Sequence, residues 1–266
     1  CACLVGSEMC IRDRCYNGGG DIMNELDLNA LPKHIAIILD GNGRWAKKRL
    51  LPRNIGHRKG AYTLRDIAVE CNKLKIAYLT VYCFSTENWK RPQAEVNYLM
   101  TAPLRYYKKY KEKIFSSSIR MKVIGRRDRF SKEFLDMIVE LEDRTKDHTG
   151  LTLTLCVDYG SQNEITTAVK KIAAEVKEGI LAPDEITEQT ITDHLFTKDY
   201  PPLDLMIRTS GEYRISNYLL WQMAYSELYF TNVLWPDFTP EELKKALLNF
   251  QGRNRRYGGL KDENSN

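Results

Sequence analysis

No stretch of the 266-residue chain is apolar for the roughly 18 to 20 residues that a bilayer-spanning helix needs. The amino end lacks a basic segment followed by an apolar one, so a secretory signal is not expected there. Charge of one sign is also lacking. The formal net charge is +5, with 43% hydrophobic and 28% charged residues, ordinary for a globular protein. So mild an excess suits anionic small substrates or a membrane surface and does not demand nucleic acid; no platform of interleaved aromatic and basic residues supports that alternative. Cysteine gives no disulfide framework: four of the seven crowd the first fifteen residues, and Cys71, Cys83 and Cys156 are scattered. An odd, dispersed trio reads as reduced thiols in a cytosolic protein, with Cys83 and Cys156 as small core residues.

What is present is organised around His34-Ile-Ala-Ile-Ile-Leu-Asp40-Gly41-Asn42-Gly43-Arg44-Trp45. An apolar run of this length reads as a strand buried on both faces, the usual state of a parallel sheet. It stops at a carboxylate and a glycine turn, and helix-forming basic residues follow. The turn matches neither the Walker nor the dinucleotide glycine spacing. Two glycines around Asn42 can leave backbone N–H groups in a concave nest for an anion, although Asp, Asn and Gly also make ordinary turns. A carboxylate beside a phosphate nest calls for a bridging cation, and Mg²⁺ binds in that way. The residues by themselves therefore point to a phosphate or diphosphate site with a divalent cation, at the carboxyl end of a strand.

His34-Ile-Ala-Ile-Ile-Leu-Asp-Gly-Asn-Gly-Arg-Trp-Ala46 resembles the signature of the cis-prenyltransferases, the undecaprenyl diphosphate synthase family. Further matches run in order from about Leu31 to Gly259. The resemblance implies that Asp40 is catalytic and binds Mg²⁺, and that Gly41, Asn42, Gly43, Arg44 and Trp45 bind substrate. In Arg53-x-x-x-His57, both named residues are implied to contact the allylic substrate. Ser85-Thr86-Glu87-Asn88-Trp89-Lys90-Arg91-Pro92 resembles a segment that lies over the active site in the family. It implies substrate contacts from Ser85, Thr86, Glu87, Trp89 and Arg91, and proton handling by Asn88. An amide has no useful pKa near neutrality, so orienting water or a diphosphate oxygen suits Asn88 better than acting as a base. Ile207-Arg-Thr-Ser-Gly-Glu-x-Arg-Ile-Ser-Asn-Tyr-Leu-Leu-Trp-Gln222 resembles the second signature. There Arg208, Arg214, Ile215 and Ser216 are implied to hold isopentenyl diphosphate, and Glu227 to be a second Mg²⁺ ligand. Asp158-Tyr-Gly-Ser-Gln162 departs from the family's Asn-Tyr-Gly-Gly-Arg, and no site residue is assigned in it.

Alternating strand and helix patterns predict an α/β domain with a mostly parallel central sheet flanked by helices, and the resemblance adds an apolar tunnel for the product. Gly60 to Leu74 reads as a helix behind a polar, glycine-punctuated loop; 94–115 as a helix kinked or broken at Pro103; and Ser161-Gln-Asn-Glu164 as a capping box. Residues 1–22 read as a non-native or disordered extension, since Glu8-Met-Cys-Ile-Arg-Asp-Arg14 matches the translation of a sequencing-library adapter end. Residues 23–260 read as one catalytic domain and 261–266 as a frayed tail. The implied activity is Mg²⁺-dependent cis-condensation of isopentenyl diphosphate onto an allylic starter, farnesyl diphosphate, to give undecaprenyl diphosphate for a cell-wall lipid carrier. The implied partners are those two diphosphates, a second copy of the chain in a homodimer, and a membrane that receives the product; the implied location is the cytoplasm, peripheral at the membrane surface. A non-catalytic partner subunit of the same fold is the alternative that the full set of site residues argues against.

Overall fold

In the computed structural model, residues 26–253 are described; the proposed extension, its boundary at Met23 and the residues after Arg253 lie outside them. Six strands form one sheet: β1 (His34–Ile38), β2 (Tyr78–Ser85), β3 (Arg120–Ile124), β4 (Thr152–Tyr159), β5 (Leu205–Arg208) and β6 (Glu227–Phe230). The order is β3-β4-β2-β1-β5-β6 and every pairing is parallel, as the buried apolar runs predict. The helices are α1 (Asn42–Lys48), α2 (Arg53–Lys73), α3 (Gln93–Phe115), α4 (Lys132–Thr145), α5 (Ser161–Lys177), α6 (Glu188–His194) and α7 (Pro240–Gln251).

Side chains alternate across the sheet. Ile35 and Ile37 point into the larger core, which takes Ile67 and Cys71 from α2, Met137 and Ile138 from α4, and Leu243 and Leu247 from α7. Ala36 and Ile38 point to the opposite face, onto a tyrosine-rich layer of Tyr82, Tyr159 and Tyr218. Tyr82 stacks on Tyr218 at 4.4 Å. The three body cysteines are free thiols; Cys71 and Cys156 are buried and Cys83 is partly so.

Three local expectations need correction. Helix α2 starts at Arg53, behind Pro52, well before Gly60. Gly56 and Gly60 are helix residues four apart that admit the close approach of α1: an added Cβ would sit 2.0 Å from the Asn42 carbonyl oxygen at Gly56, and 2.1 Å from Asn42 Oδ1 at Gly60. Helix α3 continues through Pro103, so of the two expectations there the break does not occur. At α5, Gly160 is the N-cap and no capping box forms. Glu164 turns inward to accept hydrogen bonds from Tyr159, Gln222 and the Phe196 N–H. Burial pushes its carboxyl above the usual range, against the pull of these donors.

Candidate active site

The carboxyl ends of β1, β2 and β5 deliver the polar cluster. Asp40 lies two residues past β1, and its carboxylate joins two guanidinium groups: Arg208 Nη2 at 3.1 Å from Oδ2 and Arg44 Nη2 at 3.1 Å from Oδ1. Arg208 ends β5 and its side chain is only 3% exposed. Its Nη1 donates to Ser216 Oγ at 2.8 Å and to the Arg214 carbonyl. Arg44 also reaches Glu212 at 2.9 Å and the Ser210 carbonyl at 2.9 Å, and Arg214 pairs with Glu212. Gly41 has φ +110°, and a Cβ there would meet Ser210 Oγ at 2.8 Å, so only glycine lets β1 turn this tightly into α1. The first N–H groups of α1 have no intrahelical acceptor and add donors beside Asp40.

A second cationic group sits across the opening. Arg53, His57 and Arg91 converge on one oxygen of Glu95 at 3.2, 3.3 and 3.0 Å. Burial pushes the Glu95 carboxyl up, but Arg91, Arg53 and His57 outweigh it and hold the group below its usual range. Burial lowers the His57 imidazole, and the two arginines reinforce that against the hydrogen bond to Glu95. His57 is therefore neutral at pH 7. The short turn Thr86–Lys90 closes β2: Asn88 Oδ1 accepts the Ser85 N–H at 3.1 Å in a capping box. With Oδ1 occupied in that cap, Asn88 is held rigidly at the cavity wall, which suits orientation of a ligand.

The five arginines, Asp40, His57, Asn88 and Ser216 face one cavity of about 1600 Å³, and Glu95, Glu212 and Ser210 hold them from outside its lining. Its mouth carries Asp40, Gly41, Asn42, Gly43, Arg44, Arg53, His57, Ser85, Glu87, Asn88, Arg91, Arg208, Arg214 and Ser216. Its interior is walled by Phe84, Leu99, Met137, Leu141, Leu153 and Leu155. Ordinary small-molecule sites run to roughly 300–1,000 Å³. A smaller cavity of about 400 Å³ lies at the β3 edge, away from this cluster.

Residues 38–258 match the family model for undecaprenyl diphosphate synthase. The chain belongs to that family. It is 49% identical over 231 residues to an isoprenyl transferase of Clostridium perfringens, covering 87% of this chain and 91% of that protein. It is 49% identical over 238 residues to an isoprenyl transferase of Neisseria meningitidis, covering 90% and 94%. A crystal structure of lavandulyl diphosphate synthase from Lavandula x intermedia, in complex with dimethylallyl diphosphate, superposes with a TM-score of 0.84 at 36% identity, covering 87% of this chain and all of that one. The protein is thus a prenyltransferase of the isoprenyl transferase class.

Five residues assigned to the site from the family pattern stand outside this cavity. Trp45 donates to Asp237 at 2.7 Å and lies under Arg49 at 4.2 Å, fastening α1 to the turn at Trp235–Asp237. Trp89 packs edge-on against Phe84 and donates to Asp158 at 2.8 Å, so it anchors the turn after β2. Thr86 abuts Gly160, where a Cβ would meet its Oγ1 at 2.7 Å. Ile215 packs against the tyrosine-rich layer. Glu227 begins β6 opposite Leu205, about 10 Å along the sheet from the level of Arg208. It pairs with Arg253 at 2.6 Å and does not approach Asp40 within the chain.

Asp40 is 28% exposed and keeps lone pairs beyond its two guanidinium contacts. Among the described residues no group of three or more His, Cys, Asp or Glu forms a protein cage for a metal. That donor set fits Mg²⁺, which binds through one or two carboxylates and completes its shell with substrate phosphate and water.

Three residues that the motifs do not single out hold the site. Glu95 gathers Arg53, His57 and Arg91; its i, i+4 spacing from Arg91 was a readable signal. Glu212 joins Arg44 to Arg214. Asn217 has φ +59° and spans three loops. Its carbonyl accepts the Ser161 N–H at 2.8 Å, its Oδ1 the Gln162 N–H at 2.9 Å, and its Nδ2 donates to Glu87 at 3.1 Å. Burial pushes the Glu87 carboxyl up, but the Asn217 bond and local hydrogen bonds outweigh it and lower it.

Proposed function

We propose that the protein extends an allylic diphosphate, farnesyl diphosphate, by repeated cis-addition of isopentenyl diphosphate, with undecaprenyl diphosphate as product. The observation that carries this reading is the single cavity that runs from a cationic, carboxylate-bearing mouth into an apolar interior. Diphosphates suit the mouth and a lengthening hydrocarbon suits the interior. Arg208, Arg214 and Ser216 are assigned to the diphosphate of isopentenyl diphosphate, where a guanidinium fork matches paired phosphate oxygens. Arg44, Arg53 and the first N–H groups of α1 are assigned to the allylic diphosphate.

In each cycle the allylic C–O bond breaks and its electron pair leaves with diphosphate. The alkene of isopentenyl diphosphate attacks the allylic carbon, and the new C–C bond is followed by transfer of one proton from the condensed unit to the departed diphosphate. Arginines preorganised on the mouth stabilise the departing anion, because the charge grows where the donors already point. Holding both diphosphates in one mouth aligns alkene and allylic carbon, a proximity contribution. Mg²⁺ held by Asp40 would neutralise diphosphate charge. Asn88 orients water or a diphosphate oxygen, and neutral His57 contributes a hydrogen bond without adding charge. The apolar interior then acts as the tunnel for the product chain. We further assign the protein to a homodimer in the cytoplasm that hands its product to the membrane. Among the described residues no helix is long and apolar enough to cross one.

The test is incorporation of radiolabelled isopentenyl diphosphate with farnesyl diphosphate and Mg²⁺, with extracted products sized by chromatography. A long polyprenyl product that disappears with EDTA is expected. No incorporation by folded protein, restored only by mixing with a second chain, would replace this reading with that of a non-catalytic subunit.

A further inference from the structure

The cavity opens sideways between α2 and α3, and the rim of that opening has a composition of its own. Tyr62 on α2 faces Tyr106 on α3 at 6.3 Å between ring centroids, and Tyr106 lies tilted against Tyr110 at 4.5 Å. Each outer tyrosine carries a cation over its ring: Arg65 on Tyr62 at 5.5 Å, Arg105 on Tyr98 at 5.5 Å and Lys109 on Tyr110 at 5.3 Å. All of these residues line the cavity, together with Lys113. Behind them Val69, 41% exposed, and Leu99 continue the apolar wall.

Four cations line this opening, Arg65 on α2 and Arg105, Lys109 and Lys113 on α3. On α3, Lys108 and Lys111 turn to Glu133 and Glu140 of α4. Arg105, Lys109 and Lys113 stay on the rim. Acidic groups beside the rim include Asp66, held by Arg65 at 2.7 Å, and Glu112 on α3. Tyrosine with lysine and arginine around an apolar opening is the composition that settles at a membrane–water interface: rings lie at the headgroup level and cationic tips reach phosphate. A protein–protein interface would also favour tyrosine and arginine but is depleted in lysine, whereas this rim carries Lys109 and Lys113.

We propose that the α2–α3 rim docks on the headgroups of an anionic lipid bilayer, with the opening turned toward the acyl region. Resting on the functional reading above, this makes the rim the place where a finished polyprenyl chain leaves sideways, without crossing water. The partner is the bilayer surface, recognised by negative headgroup charge and by an apolar layer beneath it.

The test uses the full chain and sucrose-loaded vesicles, of phosphatidylcholine alone and of phosphatidylcholine mixed with phosphatidylglycerol. Binding is expected only to the anionic vesicles, and it should weaken as salt is raised. Lys109→Gln with Lys113→Gln should weaken it about 30-fold, from the usual contribution of a lysine near an anionic surface. Lys170→Gln with Lys171→Gln, the same charge change on the exposed side of α5, should leave it unchanged. Tyr110→Trp should add emission that lipids brominated on their acyl chains quench. Equal losses for the two pairs, or no quenching of the added tryptophan, would overturn the assignment. A dimer disrupted by the α3 pair while vesicle binding persists would assign the rim to a second copy of the chain instead. Vesicle binding requires no turnover, so the two readings fail separately. A chain that incorporates isopentenyl diphosphate in detergent but ignores anionic vesicles overturns the docking surface alone; one that binds vesicles but never incorporates label overturns the proposed reaction alone.

Discussion

Replacing Arg208 separates what the polar cluster does for the fold from what it does for the chemistry. Arg208→Ala removes the contact to Asp40 at 3.1 Å, the bond to Ser216 at 2.8 Å and the bond to the Arg214 carbonyl. Breaking a fully buried ion pair costs about 3–5 kcal/mol. Here Asp40 is 28% exposed and keeps Arg44 at 3.1 Å, so the loss is smaller, about 1–3 kcal/mol. For a domain of this size that lowers Tm by about 2–10 °C, and the protein stays folded at 25 °C. The chemical loss is larger. Arg208 positions the diphosphate of isopentenyl diphosphate and sets the positions of Arg214 and Ser216, and misplacing the nucleophile by about 1 Å costs about 10² in rate. Arg208→Ala should therefore lower kcat by about 10² and raise KM for isopentenyl diphosphate. Arg208→Lys keeps the charge but loses the fork that serves Asp40 and Ser216 together, and should recover only part of the rate. Steady-state kinetics beside thermal melts are the assay. Full activity in Arg208→Lys, or an Arg208→Ala loss no larger than its unfolded fraction, would refute the reasoning.

Three further outcomes follow from the geometry. Ser210 has φ +84° and a buried Oγ without a partner, so Ser210→Gly should raise stability by about 1 kcal/mol in denaturant melts, whereas Gly41→Ala, with φ +110° and a Cβ 2.8 Å from Ser210 Oγ, should lower it by about 1–3 kcal/mol. Burial lowers His34 from 6.5 to about 4, so the unfolded chain binds the proton first; stability is full above pH 6.5 and falls by about 3 kcal/mol as pH drops through 4, a slope that should flatten in His34→Gln. Asn217→Ala releases Glu87 and the Gln162 N–H together and leaves the backbone bond to Ser161; KM should rise for both diphosphates, and Asn217→Asp, which keeps only the acceptor, should restore the Gln162 contact but not the Glu87 bond.

The polar mouth was legible where the residues that share it are contiguous in sequence. Asp40 to Arg44 and Arg208 to Ser216 each belong to one turn at a strand's carboxyl end, so strand, turn and charge could be read together. The parallel sheet was legible for the same reason, from short apolar runs such as Ile35–Leu39. What escaped depends on side-chain direction. Trp45 and Trp89 stand within polar blocks, yet their indoles turn to Asp237 and Asp158 and fix the blocks from behind. Gly56 and Gly60 looked like loop punctuation because the α1 backbone that needs their missing Cβ atoms is not visible in a linear pattern. Ser161-x-x-Glu164 has the spacing of a capping box, but Glu164 has three partners in the tyrosine layer that outcompete a local cap. Glu95 carries no signature beyond its Arg91 spacing, and Glu212 and Asn217, though inside the second block, reach Arg44 and Glu87 from distant segments.

The central claim is that the apolar interior of the larger cavity houses the growing chain, and the product length of a filled cavity tests it most directly. Leu155 lines the interior and is partly buried. Leu155→Trp leaves Asp40, Arg208 and the rest of the mouth untouched while occupying space beyond it. The account predicts that this variant still incorporates radiolabelled isopentenyl diphosphate but stops at shorter products than the parent. An unchanged product length from a folded Leu155→Trp protein would contradict it, because the chain would then be growing somewhere other than the cavity.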